Sequence, residues 1–279
     1  MRELLKEYYG LEIEYSRAYY DGMIFFINGD YYYLCKSYLS KEDVDKSYKL
    51  YLLLKNKGLI LHDFIFNKED ELLSKDYVLL KLNYLIDNID VNDLKRTNIV
   101  VDFEEKDDFY GIWTNKIDYY EENLFVEESN SLVVYSYDYF VGISESLLEL
   151  YKNNKTQLGA NYIVHRTFYS LSTIDYYNPL NIVVGDRLKD YSFLIRFNND
   201  WNLLYELLEN ISYEEKVCLF VRLAFPFKYF YCINKLLFEE FDREEILVIV
   251  SEIDKYEDYL YKLEQIMGID IFYWIKKDN

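Results

Sequence analysis

Runs of apolar and aromatic positions, broken by turn dipeptides, occupy residues 11–38. "LEIEYSRAYY", "MIFFI" and "YYYLCKSY" are rich in aromatic and β-branched side chains. They are separated by Asp21-Gly22 and Asn28-Gly29, dipeptides that favour the positive backbone angles of two-residue hairpins. The pattern predicts a short helix over residues 1–9, then three antiparallel strands joined by tight turns. The pattern changes at Ser40. In "KEDVDKSYKLYLLLKNKG", Val44, Tyr48, Tyr51, Leu52 and Lys55 fall at helical spacing. Ser40 is placed to cap this helix, acids occupy its first turn and Gly58 follows its end. Two further strand patterns, "LILHDFIF" and "DYVLLKLNYL", flank the charged turn "NKEDELLSK". The order is β-β-β-α-β-β.

Beyond residue 90 the pattern is mostly helical. Residues 92–128 carry the acidic runs "DFEEKDD" and "DYYEEN", which suit helices with solvated faces. Residues 131–153 form a long helical pattern with Ser131 as its cap. "YIVH" and "NIVV" read as strands, and "NNDWNLLYELLEN" as a helix. Ser212 with Glu215 makes a capping box for a helix over 213–240, which Pro226 should bend or break. Phe225, Phe227, Phe230 and Leu237 are its expected core contacts. Asp242 with Glu245 opens a last helix over 243–267, and Gly268 ends it. An α+β, bilobal chain follows: a small lobe over 1–90, with a five-stranded antiparallel sheet and one helix, then a helical large lobe over 91–279.

Composition narrows the function classes. The 279 residues are 51 % apolar and include 9 Gly and 2 Pro, so the chain can build its own core and has little linker character. A net charge of −19 argues against nucleic acid and anionic membranes, which both need clustered cations. The charge suits solubility or a basic protein partner. The 33 Tyr and 18 Phe reflect either AT-rich codon usage or aromatic surfaces half-buried at contacts. Cys35, Cys218 and Cys232 lack metal-ligand spacing, and only His62 and His165 could join them, so a zinc site is not expected. Three scattered thiols and no apolar signal core suggest a cytoplasmic chain. "VCLFVRLAFPFKYFYCINKLLF", residues 217–238, is interrupted by Arg222, Pro226, Lys228 and Lys235, and reads as a buried helix rather than a membrane span.

Three stretches carry a family likeness. They are "DYFVGISESLLELYKNN" (138–154), "VHRTF" with "NPLNIVVGDRLKDYSFLIRF" (164–197) and "VRLAFPFKYFYCI" (221–233). Together with the order of the small lobe, they resemble the kinase-like proteins of bacterial spore coats (CotS/YutH type), relatives of the aminoglycoside and choline phosphotransferases. The resemblance implies a protein-kinase-like fold and, in an active member, Mg-ATP as cofactor.

Phosphoryl transfer is mostly positioning and charge neutralisation. It needs a lysine or backbone cradle for phosphates, carboxylate and Asn ligands for Mg²⁺, and an Asp that orients the acceptor hydroxyl. Lys36, at the end of the third strand, stands where the family places its phosphate lysine, and Glu42, Asp43 or Asp45 could pair with it. Glu42 and Lys36 are the nucleotide-binding candidates. The hairpin "YYDGM" has one Gly and no Gly-rich signature. The family's loop would show His, then Asp two residues on; here His165 is followed by Arg166 and Thr167. His165 and Asp175 are the catalytic candidates: Asp175 would need a rebuilt loop, and His165 reads better as a core histidine. Asn178 and Asn181 lie far from His165 for the family's ligand Asn. "NIVVGD" aligns in two ways, as the Asn-led strand or as the metal-Asp strand with Gly185 at the ligand position and Asp186 displaced by one. Asn181 and Asp186 are the metal candidates. Lys189 and Asp190 resemble a downstream structural pair, with Asp190 expected to cap the next helix.

Three functions fit. The first is a non-catalytic kinase-like protein, without cofactor, that binds a protein partner, with a possible place in spore-coat assembly. The second is a small-molecule phosphotransferase with a rearranged site. The third is an acidic interaction or decoy protein.

Overall fold

The computed structural model describes residues 1–13, 15–84, 88–103, 108–127, 131–155, 161–166, 170–238 and 244–272. The chain divides into two compact units, Met1–Asp107 with Ala160–Arg187 and Asp108–Gly159 with Leu188–Asn279.

In the first unit the strands are β1 (Ser16–Tyr19), β2 (Gly22–Ile27), β3 (Asp30–Lys36), β4 (Asp63–Ile65), β5 (Leu73–Ser74) and β6 (Tyr77–Lys81). They form one antiparallel sheet in the order β1-β2-β3-β6-β4, with β5 on β6. The α+β class, antiparallel small-lobe sheet and inserted helix are as the pattern implied. The sheet has six strands instead of five because β5 lies inside the expected charged turn. There the Asn67 side chain accepts from the Glu69 and Glu71 amides at 2.8 and 2.9 Å and folds the loop back. β4 is short because Leu59, Leu61 and His62 leave the ladder and are buried.

The two hairpins differ. Ile27 pairs with Asp30, so the second loop is Asn28-Gly29, and both residues have positive φ (52° and 92°). In the first, Tyr19 pairs with Gly22, so the loop is Tyr20-Asp21, one residue earlier than the dipeptide suggests. Gly22 belongs to β2. A Cβ there would stand 2.4 Å from the Leu34 carbonyl oxygen and 2.6 Å from the Tyr33 ring. Close strand approach, not turn geometry, requires this glycine.

The helix Lys41–Asn56 follows β3. The Ser40 hydroxyl accepts from the Asp43 amide at 3.2 Å, and Gly58 (φ 85°) follows the C-terminus. Its last turns are clasped to β4. Lys55 donates to Asp63 at 2.7 Å, Tyr51 donates to the same carboxylate, and Asn83 donates to its other oxygen at 2.9 Å. The sheet buries both faces. One carries Met23, Phe25, Leu34 and Leu79 against Leu4 and Leu5 of the N-terminal helical segment. The alternate residues Ile24, Tyr33, Cys35, Val78 and Leu80 line the other. A second antiparallel pair, β7 (Tyr162–His165) with β8 (Ile182–Gly185), completes the unit.

The second unit is helical: Phe109–Glu127, Ser131–Lys155, Lys189–Asn198, Trp201–Leu208, Tyr213–Ala224, Phe227–Phe238, Glu244–Ser251 and Ile253–Met267. Lys189–Asn198 is a separate helix, and Asp190 lies inside its first turn, with Leu188 at the N-cap. The Ser212–Glu215 capping box is formed in both directions. Phe225-Pro226 breaks the expected 213–240 helix, and the two halves are bent by 47°. Phe225 and Phe230 are buried, whereas Phe227 and Leu237 are only half-buried. Among the described residues no single helix is long and apolar enough to cross a membrane; the bent pair passes only as a pair, and much of it is buried. The last expected helix is interrupted at Glu252, and Asp242 lies outside the described residues. Gly268 (φ 61°) ends it.

Candidate functional site

Strand alternation decides which side chains of β3 can serve a site. Leu34 packs in the Leu4–Leu5 cluster. Lys36, two residues on, shares that face, and Cys35 and Tyr33 point to the other. Lys36 is exposed, with its ammonium 5.0 Å from the Tyr38 ring centroid. Glu42 and Asp43 do not reach Lys36: both pair with Lys46, at 3.0 and 3.2 Å.

The Tyr33–Cys35 face meets the loop after β7. Ser172 accepts from the Ile174 amide and caps the short helix Thr173–Tyr176, which holds Asp175 in place. The Asp175 carboxylate accepts from the Ser170 hydroxyl at 2.6 Å and from the Tyr19 hydroxyl at 3.1 Å. The Tyr19 ring stands edge-on to Tyr33, with centroids 5.5 Å apart. The tip of the first hairpin is thus laid down on Asp175.

Electrostatics follow from this burial. Desolvation raises the Asp175 pKa above the usual carboxylate range, and the Ser170 and Tyr19 hydrogen bonds offset part of the rise. Burial pushes the Tyr19 phenol up to about 12 and the Cys35 thiol up to about 12, and the Asp175 charge adds to both. Tyr33 is raised for the same reasons. Cys35 is therefore an inert, protonated thiol at neutral pH.

His165 is fully buried at the end of β7. Its Nε2 lies 2.6 Å from the Tyr176 carbonyl oxygen, and its ring stacks on the Tyr176 ring at 4.1 Å. This is the core-histidine placement. Thr167 lies outside the described residues. The Asn181 carbonyl accepts from the Arg166 amide at 2.7 Å, and its side-chain amide points to the Asp175 carbonyl oxygen at 3.5 Å. Asn178 caps the turn Pro179–Asn181. Asp186 follows β8 and is partly buried. His62 is fully buried, and its Nδ1 accepts from the Asn83 amide at 3.1 Å. Burial lowers its pKa to about 4.

Asp175, Asn181 and Asp186 supply the oxygen donors that suit Mg²⁺, but they do not make a cage that would hold it without the phosphates of a nucleotide. Among the described residues no three His, Cys, Asp or Glu side chains converge on a metal position. One carboxylate oxygen of Asp175, Oδ2, accepts both hydroxyl donors, and among the described residues its neighbours Tyr19, Tyr33 and Cys35 carry no positive charge to balance phosphates. The family resemblance offered His165 and Asp175 as catalytic candidates and Asn181 and Asp186 as metal candidates; around Asp175 the structure gathers Ser170, Tyr19 and Tyr33, with the Asn181 side chain near its carbonyl. A sequence signal for Asp175 existed in Ser172, a cap three residues before an acid.

No protein-family model and no curated protein matches the sequence. Solved structures do. An aminoglycoside phosphotransferase from Alicyclobacillus acidocaldarius superposes with a TM-score of 0.61 at 14 % identity, over 93 % of this chain and 94 % of that one. A spectinomycin phosphotransferase, solved with ADP and spectinomycin, gives 0.55 at 12 % identity over 96 % of each. A choline kinase from Streptococcus pneumoniae gives 0.54 at 10 % identity over 96 % and 97 %. The chain has the protein-kinase-like fold of small-molecule phosphotransferases.

Proposed function

We propose that this chain is a kinase-like protein that has given up phosphoryl transfer and acts by binding a protein partner. One observation carries the reading: the Asp175 carboxylate is engaged by the hydroxyl of Tyr19 from the first hairpin, on a sheet face that offers Tyr33 and Cys35 while Lys36 lies on the opposite one. Transfer requires a cation for the phosphates and an open carboxylate for metal or acceptor. The sequence resemblance to spore-coat kinase-like proteins points the binding role to coat assembly, and the net charge of −19 suits a basic partner surface. The test is thermal unfolding with ATP, with and without Mg²⁺. No concentration-dependent rise in melting temperature is expected; a saturable rise that needs Mg²⁺ would count against the reading.

A small-molecule phosphotransferase with a rearranged site is the second reading, and Asp175 is the observation that favours it. A buried carboxylate with a raised pKa, reached by two hydroxyls, is how a proton acceptor is tuned toward neutrality. On this reading Tyr19 leaves Asp175 when Mg-ATP binds.

A further inference from the structure

A cavity of about 340 Å³ opens within the helical unit, at the low end of the size range of small-molecule sites. Its walls are aromatic and aliphatic, with Trp201, Leu204, Phe227 and Ile249 among them. Its charged lining is Arg196, Lys228, Lys255 and Glu252, so three of four charges are positive in a chain of net charge −19. Lys255 is paired with Glu252 at 2.7 Å.

The break at Phe225-Pro226 builds this cavity. It leaves the last carbonyls of Tyr213–Ala224 without helical partners. Tyr256 donates to the Ala224 carbonyl at 2.5 Å and Tyr259 to the Leu223 carbonyl at 3.2 Å. Those two cavity phenols are therefore spent on the backbone. Arg196 is not: its guanidinium lies 4.5 Å from the Phe227 ring centroid, and among the described residues it makes no ion pair and no hydrogen bond. It keeps accessible surface while the protein around it desolvates the charge and lowers its pKa. A guanidinium with five donors, stacked on an aromatic wall and lacking an anion, has the geometry for a bidentate carboxylate. The apolar walls would take the body of the same molecule, and the planar guanidinium fork fits the two oxygens of a carboxylate, with Lys228 adding a second positive charge to the lining.

We propose that this cavity binds an amphipathic monocarboxylate, its carboxylate on Arg196 and its acyl or aromatic body against Trp201, Phe227 and Ile249. The site is independent of the sheet–Asp175 region and of whether Mg-ATP binds.

Titration calorimetry with sodium octanoate and sodium phenylacetate, beside the neutral 1-octanol and phenylacetamide, tests it. The wild-type chain is expected to bind at least one carboxylate saturably, at one per chain and at least tenfold more tightly than its neutral analogue. Arg196→Gln should weaken that binding at least tenfold, and Ile249→Trp, which fills the cavity from a half-buried position, should remove it. If Arg196→Gln does not fold, the carboxylate-against-neutral comparison and Ile249→Trp decide the matter. No saturable binding of either carboxylate at millimolar concentration, equal binding of the neutral analogues, or undiminished binding by a folded Arg196→Gln or Ile249→Trp would overturn the proposal.

Discussion

Tyr19 and Asp175 are 156 residues apart in sequence, yet the Tyr19 hydroxyl donates to the Asp175 carboxylate at 3.1 Å. The bond ties the first hairpin to the loop after β7 and uses the carboxylate that a phosphotransferase chemistry would want free. Because desolvation is the main cause of its raised pKa, Asp175 destabilises the fold when ionised. Its folded pKa lies above its ordinary value of 3.8. The stability linked to its protonation is therefore fully present below pH 3.8 and is lost as pH rises through the folded value. Asp175→Asn keeps an acceptor oxygen but cannot ionise. In urea unfolding, the stability of wild type minus that of Asp175→Asn should be larger at acid pH than at pH 7. A difference that does not change with pH would show that Asp175 titrates as it does in the unfolded chain.

Gly22 should be irreplaceable although its backbone angles are not those that favour glycine. An added methyl would meet the Leu34 carbonyl oxygen and the Tyr33 ring. Overpacking of this kind costs about 1–3 kcal/mol. Gly22→Ala should lower the denaturant midpoint accordingly; an unchanged midpoint would mean that β2 and β3 separate easily.

The Lys55–Tyr51–Asp63 clasp sets part of the acid limit. Burial raises the Asp63 pKa, but hydrogen bonds from Lys55, Tyr51 and Asn83 outweigh it and bring it down to about 2. Its contribution is present above pH 3.8 and is lost as pH falls through about 2. The group is partly exposed, so solvent screening keeps the effect below about 1 kcal/mol. Lys55→Met should raise the midpoint of acid unfolding by a few tenths of a pH unit and leave stability above pH 6 within about 1 kcal/mol of wild type. Acid-titration circular dichroism reads both.

Phe230 is fully buried beside Trp113, Tyr120 and Phe225. Phe230→Ala should cost about 3–5 kcal/mol in chemical denaturation. Phe227→Ala, from a half-buried position, should cost clearly less; equal losses would contradict the burial described for this helix.

Local rules carried the fold well and the site poorly. Asn28-Gly29, the Ser40 cap and the Ser212–Glu215 box each act within a few residues, so their residue types disclose them. Asp21-Gly22 misled by one position because Gly22 answers to Leu34 and Tyr33 across the sheet. Lys36 was placed on the correct strand. Which face of β3 turns toward the Asp175 loop depends on Leu4 and Leu5 covering Leu34, a packing choice that no spacing reveals. Asp175 stood among the candidates only as needing a rebuilt loop, because its hydrogen bond from Tyr19 comes from a partner far away in sequence.

ATP turnover is the most direct test of the loss of phosphoryl transfer. ADP release would be followed with Mg²⁺ across a panel of alcohol, choline and aminoglycoside acceptors, for wild type, Tyr19→Phe and Asp175→Asn. The account predicts no ADP above the uncatalysed background for any of the three, because the proposed loss of transfer rests on Asp175 being held by Tyr19 and Ser170 while Lys36 lies on the opposite sheet face. Steady, acceptor-dependent turnover by the wild type that Asp175→Asn abolishes would contradict it and establish a rearranged active site.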